Sequence, residues 1–495
     1  MSRPRCLSAL FAVTLAVGTV APAPGAIVDA AEAGRFDQLA RGLAAGESVN
    51  AAQADGTTAL MWAAYHDDLA AVRQLLTAGA EATAVNAYGV SALYYAALNG
   101  NAGMITTLLA AGADANSQRP GGETMLMTAA RTGRVEAVKT LLTAGAQVDA
   151  ALDRGQTALI WATDEGHLAT VKVLVAAGAD PNLILPSGLS PIFFAVRQGH
   201  TELVEYFLSL GVDPNQATEP TGLRGRRPPL NGSSPLIVAI ENGHFDLAAR
   251  LLEAGADPND LRSGYSPLHT LTWIRKPEIG EDAPGAPLPT GVGRMTSLQL
   301  AAALIAHGAD VDLRLEKGRR RNKDTGRLAL VGNTPFLMAC HAGDVPYAKF
   351  LVEAGADPFT RNDDGTTALL VAAGLGAHAP EEEAATEPEA LELLDWLLSL
   401  GLDINVVDDY GETVMHGAAY KNYPLVVQFL YEHGADIAVW NRQNKFGWMP
   451  LDIADGYRPG NFKPSAATSD AIKAVMALEG VEPNYDHRVL QNQYD

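Results

Sequence analysis

The chain has 495 residues, of which 47% are apolar and 19% charged, with a formal net charge of −21. That apolar share excludes a disordered acidic chain, and the negative balance disfavours nucleic acid as the main partner. Length alone would suggest about three domains, but a regular spacing of glycines replaces that expectation with one repeated unit.

Residues 1–25 read as a secretory signal. Arg3 and Arg5 form a basic start, Leu7 to Val20 an apolar run, and Ala21-Pro22-Ala23-Pro24-Gly25 a small-residue exit. The run is shorter than the ~20 residues of a spanning helix, and no second one of that length follows. The mature chain is therefore expected to be exported, periplasmic or secreted, with no membrane span. Losing Arg3 and Arg5, with no acid in that stretch, takes the charge from −21 to −23. Of the two cysteines, Cys6 leaves with the signal. Cys340 stays alone in a slot that holds Ala64, Ala97 and Ala130 in other repeats, and is expected as a buried small hydrophobe rather than a nucleophile.

Residues 26–55 read as a shortened N-terminal capping repeat, with Ala30-Ala31-Glu32-Ala33-Gly34 as a helix-turn phrase. The array proper spans 56–446. Eleven glycines open its units and the C-terminal cap: Gly56, Gly89, Gly122, Gly155, Gly188, Gly232, Gly264, Gly332, Gly365, Gly411 and Gly447. The first five are spaced by 33 residues, and a second glycine follows 23 residues after an opener, as Gly79 follows Gly56. In the first unit Thr58 is an N-cap, and Leu60, Ala63 and Ala64 lie on one face of a short helix. Leu69, Val72, Leu75 and Leu76 form a second helix, Gly79 supplies a left-handed C-cap, and the stretch to Gly89 fits an extended finger. Two short helices cannot bury their apolar faces alone, so stacking of neighbours must complete the core.

These residues resemble the ankyrin repeat family. The carrying phrases are Ser266-Pro267-Leu268-His269, Thr334-Pro335-Phe336-Leu337, the degenerate Thr58-Ala59-Leu60-Met61, and Gly255-Ala256-Asp257-Pro258-Asn259 after Leu251-Leu252. The resemblance covers nearly all of Ile27 to about Gly480. It implies an all-α solenoid of about ten full repeats with two caps, about 100 Å long at ~8 to 10 Å per repeat. The aromatics Trp62, Tyr94, Tyr95, Trp161, Phe193 and Phe194 are expected in the inter-repeat core, on inner helices similar to those of exported bacterial ankyrin proteins.

Lengthened offsets locate the insertions. The finger offset of 10 grows to 21 between Gly211 and Gly232, 24 between Gly308 and Gly332, and 13 between Gly434 and Gly447. The helix-pair offset of 23 grows to 44 from Gly264 and 36 from Gly365. Insertions therefore fall near 218–231, 275–296, 314–331 and 375–389. The first long finger carries Arg224, Arg226 and Arg227; the second carries Arg314, Lys317, Arg319, Arg320, Arg321, Lys323 and Arg327. Either an anionic contact or a pair of solvated loops explains them. A C-terminal capping repeat is expected over 447–482 and a flexible tail over 483–495.

The recurrent His167, His200 and His244, and the signature-position His269 and His416, read as turn-holding imidazoles. Asn362-Asp363-Asp364-Gly365 and Asp408-Asp409-Tyr410-Gly411 read as turn chemistry. No motif for a metal, cofactor or catalytic group emerges. In the family the inner helices and fingers line a concave face. By resemblance, Tyr65, His66, Tyr88, Arg119, Arg131, Asp164, Glu165, Arg197, Glu241, Trp273, Tyr420, Lys421 and Trp440 should point there. With Arg275, Arg319, Arg320 and Arg321, most of these are the candidate partner-binding residues, and the expectation is that alanine at Trp273 with Arg275, or at Arg319 to Arg321, weakens partner capture without unfolding. The reading is a noncatalytic exported protein that binds another protein. An enzyme or enzyme-regulatory subunit with a groove site near His269, and a secreted effector acting on a host protein, are the alternatives.

Overall fold

The computed structural model describes residues 26–219, 232–277, 293–319, 321, 327–377, 384–457 and 464–485. The predicted signal at 1–25, Arg320, and the finger arginines Arg224, Arg226 and Arg227 lie outside them. The described residues form helices throughout, with isolated bridges such as Ala52 to Thr58 closing the first three fingers in place of a sheet. They fall into two compact units, 1–180 and 181–495.

Each repeat pairs two helices. Ala59–Tyr65 and Leu69–Thr77 in the first unit, and Pro335–His341 and Val345–Glu353 in the second, show the pattern. The inner helices start where a hydroxyl satisfies an orphan backbone donor: Thr58 accepts from Met61 N, Ser91 from Tyr94 N, Thr124 from Met127 N and Thr334 from Leu337 N. The core is a column of repeated positions. Leu60, Leu93, Leu126 and Leu159 from inner helices and Val72, Ile105, Val138 and Val171 from outer ones are buried in the first unit. Leu236, Leu268, Phe336 and Leu369 form the corresponding inner row within the second. Each such side chain contributes roughly 1.5 to 3 kcal/mol on full burial. Cys340 is buried among them, and burial pushes its thiol up out of the reactive range.

Polar ties connect successive repeats. The asparagine four residues after a helix-ending glycine donates Nδ2 to the next such glycine and accepts from the amide two residues beyond. Asn116 does so with Gly145 O (3.0 Å) and Gln147 N (2.8 Å), Asn259 with Gly308 O (2.8 Å) and Asp310 N (2.8 Å), and Asn405 with Gly434 O (3.1 Å) and Asp436 N (2.7 Å). Asp312 occupies the same place. It accepts from Asp357 N (3.1 Å) but has no amide to donate, and burial together with the nearby Asp357 and Asp310 raises its carboxyl above the usual range. Asp312→Asn should therefore stabilise the protein at neutral pH, by about 1 kcal/mol for one restored hydrogen bond. A urea midpoint at or below that of the wild type would show that the ladder is not what holds these loops.

Histidines make a second set of ties. His167 Nε2 lies 3.0 Å from Arg131 O, and His244 Nε2 3.0 Å from Arg197 O, so these imidazoles bridge to the preceding inner helix rather than holding only their own turn. Their rings cover Gly133 (φ 67°) and Gly199 (φ 75°), where a Cβ would come within 2.6 Å and 2.7 Å of the imidazole. Left-handed backbone and absence of a side chain are both required there.

Candidate functional site

In the first unit the inner helices, with Phe36 at the start of the helix Phe36–Ala44, present an aromatic row. Ring centroids run from Phe36 to His66 (5.9 Å), His66 to Tyr65 (5.1 Å), Tyr65 to Trp62 (5.4 Å) and Tyr95 (5.3 Å), and Tyr95 to Tyr94 (5.6 Å), all edge-to-face. His66 Nε2 is fixed by Glu32 O at 2.9 Å, and Trp62 donates Nε1 to Gln53 Oε1 at 3.1 Å. Tyr65 is 51% exposed and the finger residue Tyr88 65% exposed. Of the aromatics expected in the core only Phe193 is buried there; Trp62, Tyr94, Tyr95, Trp161 and Phe194 are half-buried. They sit one position along the helix from the inward-facing leucine and alanine positions, so one ring edge packs and the rest faces outward.

Beside the row lies a polar cluster centred on Glu123, which the sequence reading missed. Arg119 donates Nη1 to Glu123 Oε2 (2.8 Å) and to Tyr94 Oη (3.3 Å), with its guanidinium 4.5 Å from the Tyr94 ring centroid. Thr128 Oγ1 donates to Glu123 Oε1 at 3.0 Å, Arg131 approaches the same oxygen at 3.7 Å, and the Arg131 guanidinium lies 5.8 Å from the Trp161 ring. The available signal was Glu123 itself, a carboxylate directly after an opening glycine, shared only with Glu412, where other repeats carry residues such as Thr57, Val90 or Leu189. The face thus offers aromatic edges and two stacked, half-buried guanidiniums, held in place by their own contacts. Glu165 is exposed and Asp164 half-buried on the same side of their repeat.

The second unit departs from expectation. Arg197 is exposed, its guanidinium 5.2 Å from the Phe194 ring, and Trp273 packs edge-on against Tyr265 at 4.7 Å. Arg275 is no open anchor: it makes a two-bond ion pair with Asp344 (2.6 and 2.9 Å) and donates Nη1 to Ser297 Oγ (2.6 Å). Tyr420, Lys421 and Trp440 are buried, which corrects their place on an open face. Tyr420 donates its hydroxyl to Glu412 Oε1 (3.0 Å), and Lys421 Nζ reaches Ala385 O (3.3 Å) in the insertion that covers it. Trp440 ends the short helix Ile437–Trp440, which takes the place of an extended finger.

Described basic residues of the finger near 314–331 are likewise engaged within the chain. Arg314 binds Arg361 O (2.8 Å) and Asp363 Oδ1 (2.8 Å). Arg321 is buried against Asp408, Nη1 to Oδ2 at 2.6 Å, with side chains 1% and 0% exposed. Two of the basic residues expected to meet an outside anion thus meet carboxylates of this chain. Arg319 remains exposed, with Nε donating to Leu328 O at 3.3 Å.

Burial dominates the shifted titrations. Glu412 is pushed up to about 7, chiefly by desolvation, although Arg321, Tyr420 and Asn444 favour its charged form. Glu241 is likewise raised to about 7 by burial. His416 and His269 are held down to about 4 by burial. His269 has both nitrogens engaged, with Ser266 Oγ at 2.7 Å and Asn333 O at 3.1 Å. A carboxyl raised in the folded state favours folding below its ordinary value near 4.5, and that contribution is lost as pH rises through 7. The depressed histidines act oppositely, losing stability as pH falls from 6.5 through 4. Between 4.5 and 6.5 the two effects oppose each other. Glu412→Gln should therefore gain stability relative to the wild type as pH rises from 5 to 7.5, on the order of 1 kcal/mol or more. A pH-independent difference in urea unfolding would contradict this.

Among the described residues no group of three or more histidines, cysteines or carboxylates is placed to hold a metal ion, and no helix is long and apolar enough to cross a membrane. The geometry is that of a stacked interaction surface, and family models agree. Models described as ankyrin repeats match residues 27–119, 104–184, 126–218 and 192–273, and others of the same description match 336–379 and 391–454. The chain belongs to the ankyrin repeat family, whose repeats are protein–protein interaction modules. Among curated proteins it is similar to Alpha-latroinsectotoxin-Lt1a of Latrodectus tredecimguttatus, 30% identical over 130 residues. That match covers 26% of this chain and 8% of the toxin, so the chain spans only a small part of this relative.

Proposed function

We propose that this chain is an exported, noncatalytic scaffold that binds a protein partner through the inner face of its first unit. The observation that carries this reading is the aromatic row from Phe36 to Tyr94 with Arg119 and Arg131 stacked beside it. Tyrosine, tryptophan and arginine held rigidly and partly exposed are the side chains that dominate binding energy at interfaces, because little conformational freedom remains to be lost. Export rests on the basic start, apolar run and small-residue exit of residues 1–25, and N-terminal sequencing of the natively produced protein should begin at Ala26.

The partner-binding face is tested by affinity capture from cross-linked native envelope and secreted fractions. Tyr65→Ala and Arg131→Ala are each expected to reduce recovery of the specific partner tenfold or more while leaving the melting temperature within a degree or two. Undiminished recovery by both variants would remove this face. The alternative of a catalytic site around His269 lost its main support with the enclosure of that imidazole. Turnover abolished by His269→Ala in a folded protein would restore it.

A further inference from the structure

Three asparagines share one arrangement at the base of their fingers, three residues before an opening glycine. Asn86, Asn362 and Asn444 accept two finger amides on Oδ1, as Asn362 does from Asp364 N (3.0 Å) and Thr366 N (2.9 Å). Each donates Nδ2 to the residue just after the preceding opener: Asn86 to Thr57 (3.1 Å), Asn362 to Asn333 (3.1 Å) and Asn444 to Glu412 (3.0 Å). Asp408 stands in this place before Gly411. Its Oδ1 accepts from Tyr410 N and Glu412 N, both at 2.9 Å, like the asparagines. Its other oxygen has no amide proton to give and carries a charge instead. The residue across from it, Thr366, donates weakly at 3.4 Å, and the strong donor is Arg321, brought from 87 residues away.

The surroundings suit a guanidinium. The Tyr410 ring centroid lies 5.4 Å from Arg321 Cζ, and Tyr410 stacks on Phe446. Glu412 and Asp408 hold the group charged against a burial that opposes charge. Yet Arg321 uses the site incompletely. Its Nε and Nη2, and Oε2 of Glu412, have no hydrogen-bond partner among the described residues although buried. Leaving such atoms unmade is costly, so this occupant is held less firmly than the pocket allows. Among the finger's described residues, Leu328 is buried and donates its amide to Gly376 O (3.3 Å), and Leu330 donates to Arg319 O (2.8 Å).

We propose that the pocket formed by Asp408, Tyr410, Glu412 and Tyr420 is an arginine-recognition site, that Arg321 is its built-in occupant, and that an extended partner segment bearing an arginine displaces it. The proposal goes beyond the scaffold reading: it sets a separate recognition site in the second unit and names the chemistry of the segment that enters it. An incoming guanidinium that bonds both Asp408 and Glu412 satisfies more of the pocket than Arg321 does. Lysine, with a compact ammonium and no planar fork, does not substitute.

The test uses the full chain with Arg321→Ala, and Arg321→Gln as a second variant that keeps a neutral donor. The probe is an acetylated, amidated peptide of this chain's residues 315–330 and the same peptide with lysine in place of its residue-321 arginine. The arginine peptide should bind either folded variant at least tenfold more tightly than it binds the wild type, and at least tenfold more tightly than the lysine peptide does. Adding Glu412→Gln should weaken it severalfold. Equal binding of the two peptides, or no binding by a folded variant, overturns the proposal. Should neither variant fold, hydrogen exchange of the wild type decides: the arginine peptide must accelerate exchange at Leu328 and Leu330, and unchanged exchange overturns it. Reciprocal exchange of the segment between copies, seen as a wild-type dimer that Arg321→Ala abolishes, would replace the partner by a second copy and also overturn it. The face containing Tyr65 and Arg131 is untouched by any of these variants, so its own test stands separately.

Discussion

Arg321→Ala should destabilise the second unit by about 3 to 5 kcal/mol, the usual cost of stranding one member of a buried ion pair. The carboxylate left behind has no other cation within hydrogen-bonding reach among the described residues, and its neighbour Glu412 adds repulsion once ionised. The pairing makes a second, sharper expectation. Asp408→Asn in the Arg321→Ala background should recover most of the loss, because it recreates the uncharged finger base seen at Asn86, Asn362 and Asn444, with Thr366 as its partner across the repeat. Chemical denaturation of the four proteins of this cycle measures the coupling directly. A double variant as unstable as the single one would mean that Arg321 acts through packing of its stem and not through charge.

Arg275→Ala should lose about 3 kcal/mol, again because of the acid it abandons. Asp344 is buried, and its Oδ1 also caps the helix Val345–Glu353 by accepting from Tyr347 N at 3.1 Å. Tyr347 is fixed in turn by its hydroxyl on Leu268 O (2.8 Å) and by the Arg275 guanidinium 5.3 Å from its ring. Arg275→Lys should recover only part of the stability, since an ammonium cannot make both Asp344 bonds and reach Ser297 together. Melting temperature and the urea midpoint should fall together. If Arg275→Ala keeps wild-type stability and instead loses a partner, the original expectation for this residue returns.

Both results bear on how such variants are interpreted. Arginines in insertions invite alanine scanning as surface anchors, and reduced binding by Arg275→Ala or Arg321→Ala would look like the loss of a contact. The structure attributes it to folding.

The sequence made the repeats legible because their signals are local. Gly56 and Gly79 fix a period, Thr58 caps a helix three residues on, and Leu60 with Val72 face a neighbour that carries the same pattern. Tyr65 and Tyr88 are exposed and Arg131 half-buried, an exposure that register alone suggests. Register failed at Tyr420 and Lys421, which hold the same helix positions as Tyr65 and His66. What differs is the company: Ala385 accepts from Lys421 and Tyr423, and Arg321 lies over Tyr410. Those covering segments come from insertions without a period of their own. The change from asparagine to aspartate at 408 was visible as a missing donor, but nothing local says which of the chain's cations supplies it. Glu123 was overlooked for the converse reason, its partners Arg119 and Arg131 being near in sequence but read one at a time.

The tie between Arg321, in the finger of the unit opened by Gly264, and Asp408, in the finger of the unit opened by Gly365, skips over the unit opened by Gly332, whereas the asparagine and histidine ties join only adjacent ones. A stack held by adjacent ties alone frays from its end, each unit lost with its own small free energy. Here the unit opened by Gly365 cannot leave without breaking a bond whose other half is anchored before Gly332. The units opened by Gly264, Gly332 and Gly365 should then come apart in one step, as a block, and a substitution at Arg321 should loosen that block, leaving the Lys276–Glu389 pair and the Leu328–Gly376 bond to span it.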